Sequence, residues 1–484
     1  MPDPARTRAD LAGLRPDLLS RYDDALPGAR AAILARLLGA LEREPLPGIT
    51  TRHHHHGQTT INNTITYATA DAEPFATDAH PTGDPAHIAE QLWPGTPLPA
   101  ELAESVANLA LARAAAITTT PRTLPAWEQS LVDGHPLHPC CRTRTGMTVA
   151  DTLTYAPEHR TLIRLRRIKV PTDRWHGTAR PLLYAHPWQA QRLLHHYPWL
   201  TDLGPTRPVR PLMSLRTVAL PDGGPHIKTS VDIQMTSAVR TVSPAAVHNG
   251  PRLSALLTRM TADLPLDVLT ETSAGAVITE HGPDRRLAHL TRTAPRTRPG
   301  ETIVPMGVYA TTPTLLAAGG DPYQIMKDLG TALFAPLARL LDRGIALEAH
   351  GQNTLIVLAD GRPIRTVYRD LGGVRIHPHR LAQAGYDDPG LIGDLPTDDD
   401  NELRTKLAAA ALTTVAAQTI TALTRHYGAD PTRLWAHVTA ALQGTRDTHA
   451  LTTEPLPLKA TTAMRLATDP LTDIWTHQPN PMAT

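Results

Sequence analysis

Cysteine is all but missing from this chain. There are two, Cys140 and Cys141, and they are neighbours. Adjacent residues cannot close a long loop, so a disulfide framework is excluded as a source of stability. Phenylalanine is as scarce, with two residues in 484. Lysine is limited to Lys169, Lys228, Lys327, Lys406 and Lys459, and arginine does nearly all the other basic work. A lysine kept against that background is informative, because a compact, mobile ammonium treats a phosphate differently from a planar guanidinium. No sign of charge dominates: the formal net charge is +1, so bulk charge gives no reason to expect a nucleic-acid partner. No run approaches the roughly 18 apolar residues of a membrane span, and the opening MPDPARTRADLAGLRPDLL lacks an apolar signal core. The expectation is a soluble, cytoplasmic protein with no membrane partner. No repeat of fixed period is visible.

What is present is too long for one ordinary core, and two or three domains are expected. Residues 8–44 read helical, with Ile33, Leu34, Leu37, Leu38 and Leu41 as an apolar stripe that Pro45 and Pro47 stop. His53 to His56 form a run in a polar, turn-rich passage without ligands at metal spacing, and read as a solvated loop. Residues 100–117 are a second helix, and 118–125 are rich in breakers. From 125 to 305 the pattern is mixed, with strand-like runs such as 161–170; residues 282–300 read as loop and edge strand. Helices return after Pro313. The span 323–341 is amphipathic, starts at Asp321-Pro322, ends at Gly344 and contains Pro336, where a kink is expected. A hairpin follows, Thr354 to Leu358 and Ile364 to Tyr368 around Asp360-Gly361. Residues 401–425 and 430–442 are helical with ordinary apolar faces, and the tail from Asp469 is expected on the surface.

Three blocks carry possible chemistry. The first, GHPLHPCCRTRTG from Gly134 to Gly146, places His135, His138, Arg142 and Arg144 in a segment stiffened by Pro136 and Pro139, which suits a polyanion. Its spacing is wrong for a closed zinc site, and a plain loop capped by histidine would account for it if it stood alone. The second runs from Pro211 to Ser243. Two alternating runs flank Asp222-Gly223-Gly224, and Lys228, Ser230, Asp232 and Gln234 are expected on one face. With Ser214, Arg216, Thr217, Thr229 and Arg240 it reads as a phosphate platform, although taken alone a solvated charged strand face is the commoner explanation. The third is Glu348 to Asn353, the hairpin, and then Tyr368-Arg369-Asp370. The hairpin would return Asp370 beside Glu348 and Asn353, and two carboxylates with one amide oxygen suit Mg²⁺. The plainer alternative is a hairpin with polar ends. No G-x-x-x-x-G-K-[ST] and no G-x-G-x-x-G after a strand is present, which disfavours a P-loop or Rossmann nucleotide site.

Taken in order, GHPLHPCCRTRTG, MSLRT, KTSVDIQMTSAVRTVS and EAHGQN…YRDLGGVRI resemble the blocks of the IucA/IucC-type siderophore synthetases, the NRPS-independent family that couples polycarboxylic acids to amines. They span Gly134 to Ile376. Arg142 stands where the family pattern GHPxHPxxKxRxG has lysine. The resemblance implies a multidomain α+β fold likened to a cupped hand: a helical thumb (1–122), β-rich fingers with the ATP-phosphate platform (123–310), and a palm with the magnesium-binding hairpin and C-terminal helices (311–484). It implies adenylation of a carboxylate of a polycarboxylic acid, commonly citrate, followed by attack of an amine or hydroxyl, with release of AMP and pyrophosphate by a homodimer. By the same resemblance ATP would be held by His135, Ser214, Arg216, Thr217, Lys228, Thr229, Ser230 and Arg240. Glu348, Asn353 and Asp370 would hold Mg²⁺. His350 and Arg240 would face the acid, and His138, Lys228, Arg240 and His350 would act in the chemistry. Two other readings are a small-molecule kinase, disfavoured because Gln352 stands where a catalytic Asp is expected, and a non-catalytic polycarboxylate binder.

Overall fold

Proline and helical spacing decide the N-terminal third. Helices Pro4–Leu14 and Leu19–Arg43 bury Ile33, Leu34, Leu37, Leu38 and Leu41. Asp3 caps the first by accepting from the Arg6 N–H at 2.9 Å, with Pro4 at the first helical position. Helix Leu98–Ala114 packs on Leu19–Arg43. Cys140, Cys141 and Val149 join this core, and so do Ala460 and Ala463 from the far end of the chain. Glu44 accepts from the N–H groups of Thr462 and Ala463, both at 2.8 Å, and so caps helix Thr461–Leu466 onto the N-terminal helices. The computed structural model describes residues 1–75, 80–236, 238–469 and 472–483.

The histidine run is not a loop. Arg52–His55 is the outer strand of a three-stranded meander with Gln58–Ile61 and Ile65–Ala68. His56 and Gly57 turn it, both at positive φ, as a two-residue hairpin turn requires. The four imidazoles are exposed.

The middle of the chain builds a six-stranded sheet in the order Trp175–Gly177, Glu271–Thr279, Gly282–Arg292, His226–Thr229, Thr217–Ala219, Arg210–Pro211. The edge strand expected after Gly282 is therefore central. Its charged residues, Asp284 to Arg286, lie at a register shift between Pro283 and Ala288 in the pairing with Glu271–Thr279, while Leu287 to Leu290 is buried. A second departure is larger. The single run expected from His226 to Met235 breaks at Ser230, and Val231–Met235 belongs to another sheet with Ala238–Arg240 and Arg144–Thr145. Side chains replace the ladder at the break. The Gln189 amide donates to Ser230 O at 2.8 Å and accepts from the Asp232 N–H at 2.9 Å. The Ser230 hydroxyl donates to Arg285 O at 2.7 Å and accepts from the Val242 N–H at 2.9 Å. Asp232 and Gln234 thus do not share a face with Lys228.

The C-terminal part rests on a four-stranded sheet, Leu266–Val268, Arg362–Tyr368, Thr354–Ala359 and Glu301–Pro305. The kink expected at Pro336 takes the form of a π-turn, Gly330–Phe334, between helices Pro322–Leu329 and Ala335–Asp342. Proline cannot donate to the carbonyl of Ala332, and the Thr366 hydroxyl does so instead at 2.7 Å. The long helical run Asp400–Tyr427 is apolar and long enough to cross a bilayer by composition, yet two-thirds of its apolar window is buried within the protein, so it is a core helix here. The tail is also more than surface: Trp475–Gln478 pairs with Leu456–Lys459, and the Asn480 amide donates to Leu451 O and Glu454 O. With helices and seven separate sheets among the described residues, the architecture is α+β, as expected.

Candidate active site

The expected hairpin forms from Thr217–Ala219 and His226–Thr229, with Thr217 opposite Lys228. Just before it, the Leu212 N–H donates to Thr217 O at 2.7 Å and the Leu215 N–H to Leu212 O at 2.8 Å. This closes a tight turn in which Leu215 takes φ +63°, a conformation that costs a non-glycine residue about 1–3 kcal/mol. Ser214 donates its hydroxyl to Thr217 Oγ1 at 2.9 Å, and Arg216 reaches Thr241 O at 2.7 Å. Lys228 is buried on this sheet.

The hairpin Thr354–Ala359 and Arg362–Tyr368 turns at Asp360 (φ +48°) and Gly361 (φ +78°), the geometry that the Asp-Gly pair favours. Thr354 lies opposite Tyr368, and the Arg369 N–H donates to Asn353 O at 3.0 Å. The chain then turns sharply at Asp370, with φ +74°. That turn aims the carboxylate at Lys228, 142 residues earlier, whose Nζ lies 2.7 Å from both of its oxygens. Burial alone would raise Asp370, but Lys228, Arg292 and Arg216 together hold it well below the usual carboxylate range. Burial lowers Lys228, and Asp370 offsets part of that. Arg216 and Arg292 are each pushed down to about 10, by burial first and by neighbouring guanidinium groups second. Four cations, Arg216, Lys228, Arg240 and Arg292, thus crowd Asp370, with Glu271 and Glu348 the further carboxylates near them. That is an excess of positive charge an anionic ligand would relieve.

Three histidines border this cluster, and each has its Nδ1 turned to backbone. His135 Nδ1 accepts from the N–H groups of Leu137 and His138, both at 3.2 Å. His138 Nδ1 accepts from Cys140 at 3.0 Å, and His350 Nδ1 from Gln352 at 3.2 Å. Each ring therefore carries its proton on Nε2. Burial keeps His138 well below its ordinary value, with His135 adding to the effect; burial also lowers His350, against the pull of Glu348. His138 Nε2 is buried with no hydrogen-bond partner, so it is a donor waiting for an acceptor.

Not every residue singled out by the sequence faces this space. The Thr229 hydroxyl donates to Arg216 O at 3.0 Å, and Ser230 holds the strand break together, so both are buried in the frame of the platform. Arg142 points inward. It donates to Val132 O at 2.8 Å and Leu131 O at 2.6 Å and pairs with Glu158 at 3.3 Å. Other residues join the cluster without having been marked. Buried Glu271 lies near Lys228, Asp370 and Arg292 and is pushed up to about 7 by burial. Lys406 sits 3.7 Å from Glu348 and 3.7 Å from Asp473, and Lys459 pairs with Asp473 at 2.7 Å. Three of the five lysines therefore gather here, while Lys169 and Lys327 are exposed. The scarcity of lysine was the signal that could have found the other two.

Glu348 and Asp370 act on the same neighbours, Arg240 and His350, and the Asn353 amide nitrogen donates to Glu348 O; carboxylate and amide oxygens are the donor types that magnesium takes. The backbone makes room for them: a Cβ on Gly373 would collide with the Glu348 carboxylate. Among the described residues no three His, Cys, Asp or Glu side chains form a cation cage by themselves. Lys228 and Lys406 supply the positive charge these carboxylates face in this structure.

Comparison with known proteins adds to this geometry. Residues 123–181 and 176–310 match the model of the IucA / IucC family, and residues 326–484 match that of the "Ferric iron reductase FhuF-like transporter". The chain is 29% identical over 330 residues to "Staphyloferrin A synthase" of Staphylococcus aureus (strain NCTC 8325 / PS 47), covering 55% of this chain and 56% of the relative. It is 24% identical over 340 residues to "D-ornithine--citrate ligase" of the same strain, covering 54% and 51%. The chain spans about half the length of these curated relatives. Solved structures extend the likeness in fold. "Petrobactin Biosynthesis Protein AsbB" from Bacillus anthracis str. Sterne aligns with TM-score 0.79 at 18% identity over 96% of this chain and 98% of that one. ATP-bound "aerobactin synthetase IucA" from a hypervirulent pathotype of Klebsiella pneumoniae aligns with TM-score 0.75 at 19% identity over 94% and 99%. Residues 123–310 are thus similar in sequence to the IucA / IucC family, and the chain shares the fold of these solved structures over nearly its whole length.

Proposed function

We propose that this chain is an ATP-dependent, AMP-forming synthetase that adenylates a carboxylate of a polycarboxylic acid and passes the acyl group to an amine or hydroxyl. The observation that carries the reading is the Lys228–Asp370 contact, which brings the cationic platform and the carboxylate hairpin to one point. Citrate is the first acid to consider, since relatives are named D-ornithine--citrate ligase, L-2,3-diaminopropanoate--citrate ligase and spermidine-citrate ligase. The same names point to an amine acceptor. The three-part division at 1–122, 123–310 and 311–484, the homodimer and the cytoplasmic location belong to this proposal. Sedimentation of the purified chain tests the dimer.

The chemistry follows from charge. Attack of a carboxylate on an α-phosphate brings two anions together, so the site must supply positive charge and fixed donors more than a base. Arg216, Lys228 and Arg292 would take the phosphates, with Ser214 and Thr217 at the turn. Arg240, which senses both Asp370 and Glu348, would sit between phosphate and acid with His350. His135 and His138, neutral and protonated on Nε2, would donate to phosphate oxygens. Glu348, Asn353 and Asp370 would hold Mg²⁺, which would supply positive charge to the phosphates. The bond formed joins a carboxylate oxygen to the α-phosphorus as pyrophosphate leaves. The acceptor then attacks the acyl carbon and AMP leaves.

The kinase alternative differs in product, ADP in place of AMP and pyrophosphate. A pyrophosphate-release screen of citrate, succinate and 2-oxoglutarate against diamines and amino acids tests the proposal. Lys228→Ala and Asp370→Ala should each abolish release, and near-normal turnover in either would sink the site assignment.

A further inference from the structure

Two turns of the candidate site hold non-glycine residues at positive φ, Leu215 and Asp370. Both follow closely on an anchor, and the anchors share one carboxylate. Glu128, in the short helix Leu124–Ser130, is buried to 1% exposure. Its Oε2 accepts from the Met213 N–H at 3.0 Å, two residues before Leu215. The same carboxylate takes the Arg369 guanidinium with both oxygens, at 2.5 and 3.0 Å, one residue before Asp370. Arg369 is itself fixed by Gln352 O, at 3.1 Å to Nε and 2.9 Å to Nη2. The next residue in the helix, Gln129, donates to Pro211 O at 3.0 Å. One short helix therefore pins the entry to the Ser214–Thr217 turn and the entry to the Asp370 turn.

A buried ion pair is a poor way merely to fill this space, because apolar residues of similar volume do so without desolvating charge. What the pair adds is geometry: a bidentate fork fixes distance and orientation together. We infer that Glu128 is a positioning residue, which through Met213 and Arg369 holds the phosphate-facing turn and the Asp370 turn in one fixed relation before ligand arrives. It touches neither ATP nor acid. The inference rests on the reading that both turns face one nucleotide.

The test compares the wild type, Glu128→Gln, and the double variant Glu128→Gln/Arg369→Gln, which removes both buried charges and leaves an amide pair. Circular dichroism sets an assay temperature at which all are folded. Calorimetry measures ATP binding, and steady-state kinetics measure KM for the acid. The expected result is ATP binding weakened about tenfold or more in both variants, with KM for the acid changed less than about twofold. The double variant should regain the thermal midpoint that Glu128→Gln loses, without regaining ATP affinity. If ATP affinity stays within about twofold of wild type whatever the melting temperature does, or returns together with stability in the double variant, Glu128 is only structural and the inference is overturned. A wild type that binds ATP but releases no pyrophosphate with any acid overturns the proposed reaction while leaving the affinity comparison decisive. A wild type that binds no ATP overturns both.

Discussion

Glu104→Gln offers a quantitative check on the helical core. Glu104 lies on helix Leu98–Ala114, fully buried, and neither carboxyl oxygen has a hydrogen-bond partner. Burial pushes it from an ordinary 4.5 up to about 7, and the nearby backbone and guanidinium of Arg144 offset only part of that. In the folded protein it keeps its proton to about pH 7, whereas in the unfolded chain it loses the proton near 4.5. Between those values the folded state binds more protons, so its stability falls as pH rises and the loss is complete above 7. At about 1.4 kcal/mol per pH unit the whole effect is roughly 3 kcal/mol. Glutamine keeps the shape and cannot ionise; its own buried amide adds a cost that does not vary with pH. Urea unfolding of both proteins from pH 4.5 to 8 should give stability curves whose separation levels off towards the acid end and changes as pH rises. The wild type should lose roughly 3 kcal/mol more than the variant by pH 8. Taking the difference removes the slopes of Glu44 and Glu271, also pushed up to about 7. Parallel curves would refute the reasoning.

Three further outcomes are expected. Arg142→Lys should cost about 2–3 kcal/mol in denaturant unfolding, because an ammonium cannot serve two carbonyls and Glu158 at once. Activity per folded molecule should hold, and lost activity with intact stability would mean that Arg142 faces a ligand. Thr366→Val should cost about 1–3 kcal/mol by leaving Ala332 O unpaired beside Pro336, and Thr366→Ser should restore most of it. Lys228→Met should destabilise by roughly 3 kcal/mol, at the low end for breaking a buried pair, because Arg292 and Arg216 remain near Asp370. A melting temperature unchanged by that variant would show that the pair is not formed in solution.

The sequence was legible where short-range rules act alone. The Asp360-Gly361 hairpin was readable because two alternating runs flank a dipeptide that tolerates positive φ, and it carried Asn353 and Asp370 into place. The break at Ser230 was not readable, because its cause is Gln189, 41 residues earlier. Gly282–Arg292 was misjudged for a related reason: its charges lie at a register shift within a central strand, and period alone cannot tell that from an edge. The histidine run was misread as a loop because the strand that pairs it, Gln58–Ile61, follows the turn rather than precedes it. In the site, Lys228 stood out against an arginine background, and the same argument applied to Lys406 and Lys459 was available. Glu128 and Glu271 were not, since a carboxylate that meets its partners only after folding looks like any other in sequence.

The central claim is that a carboxylate of the acid attacks the α-phosphate of ATP. Acid labelled with oxygen-18 in its carboxylates, incubated with ATP, an amine and the purified chain, tests it most directly. The account predicts one labelled oxygen in the AMP released and none in the pyrophosphate. Label absent from AMP while amide product forms, or ADP as the nucleotide product, would contradict it.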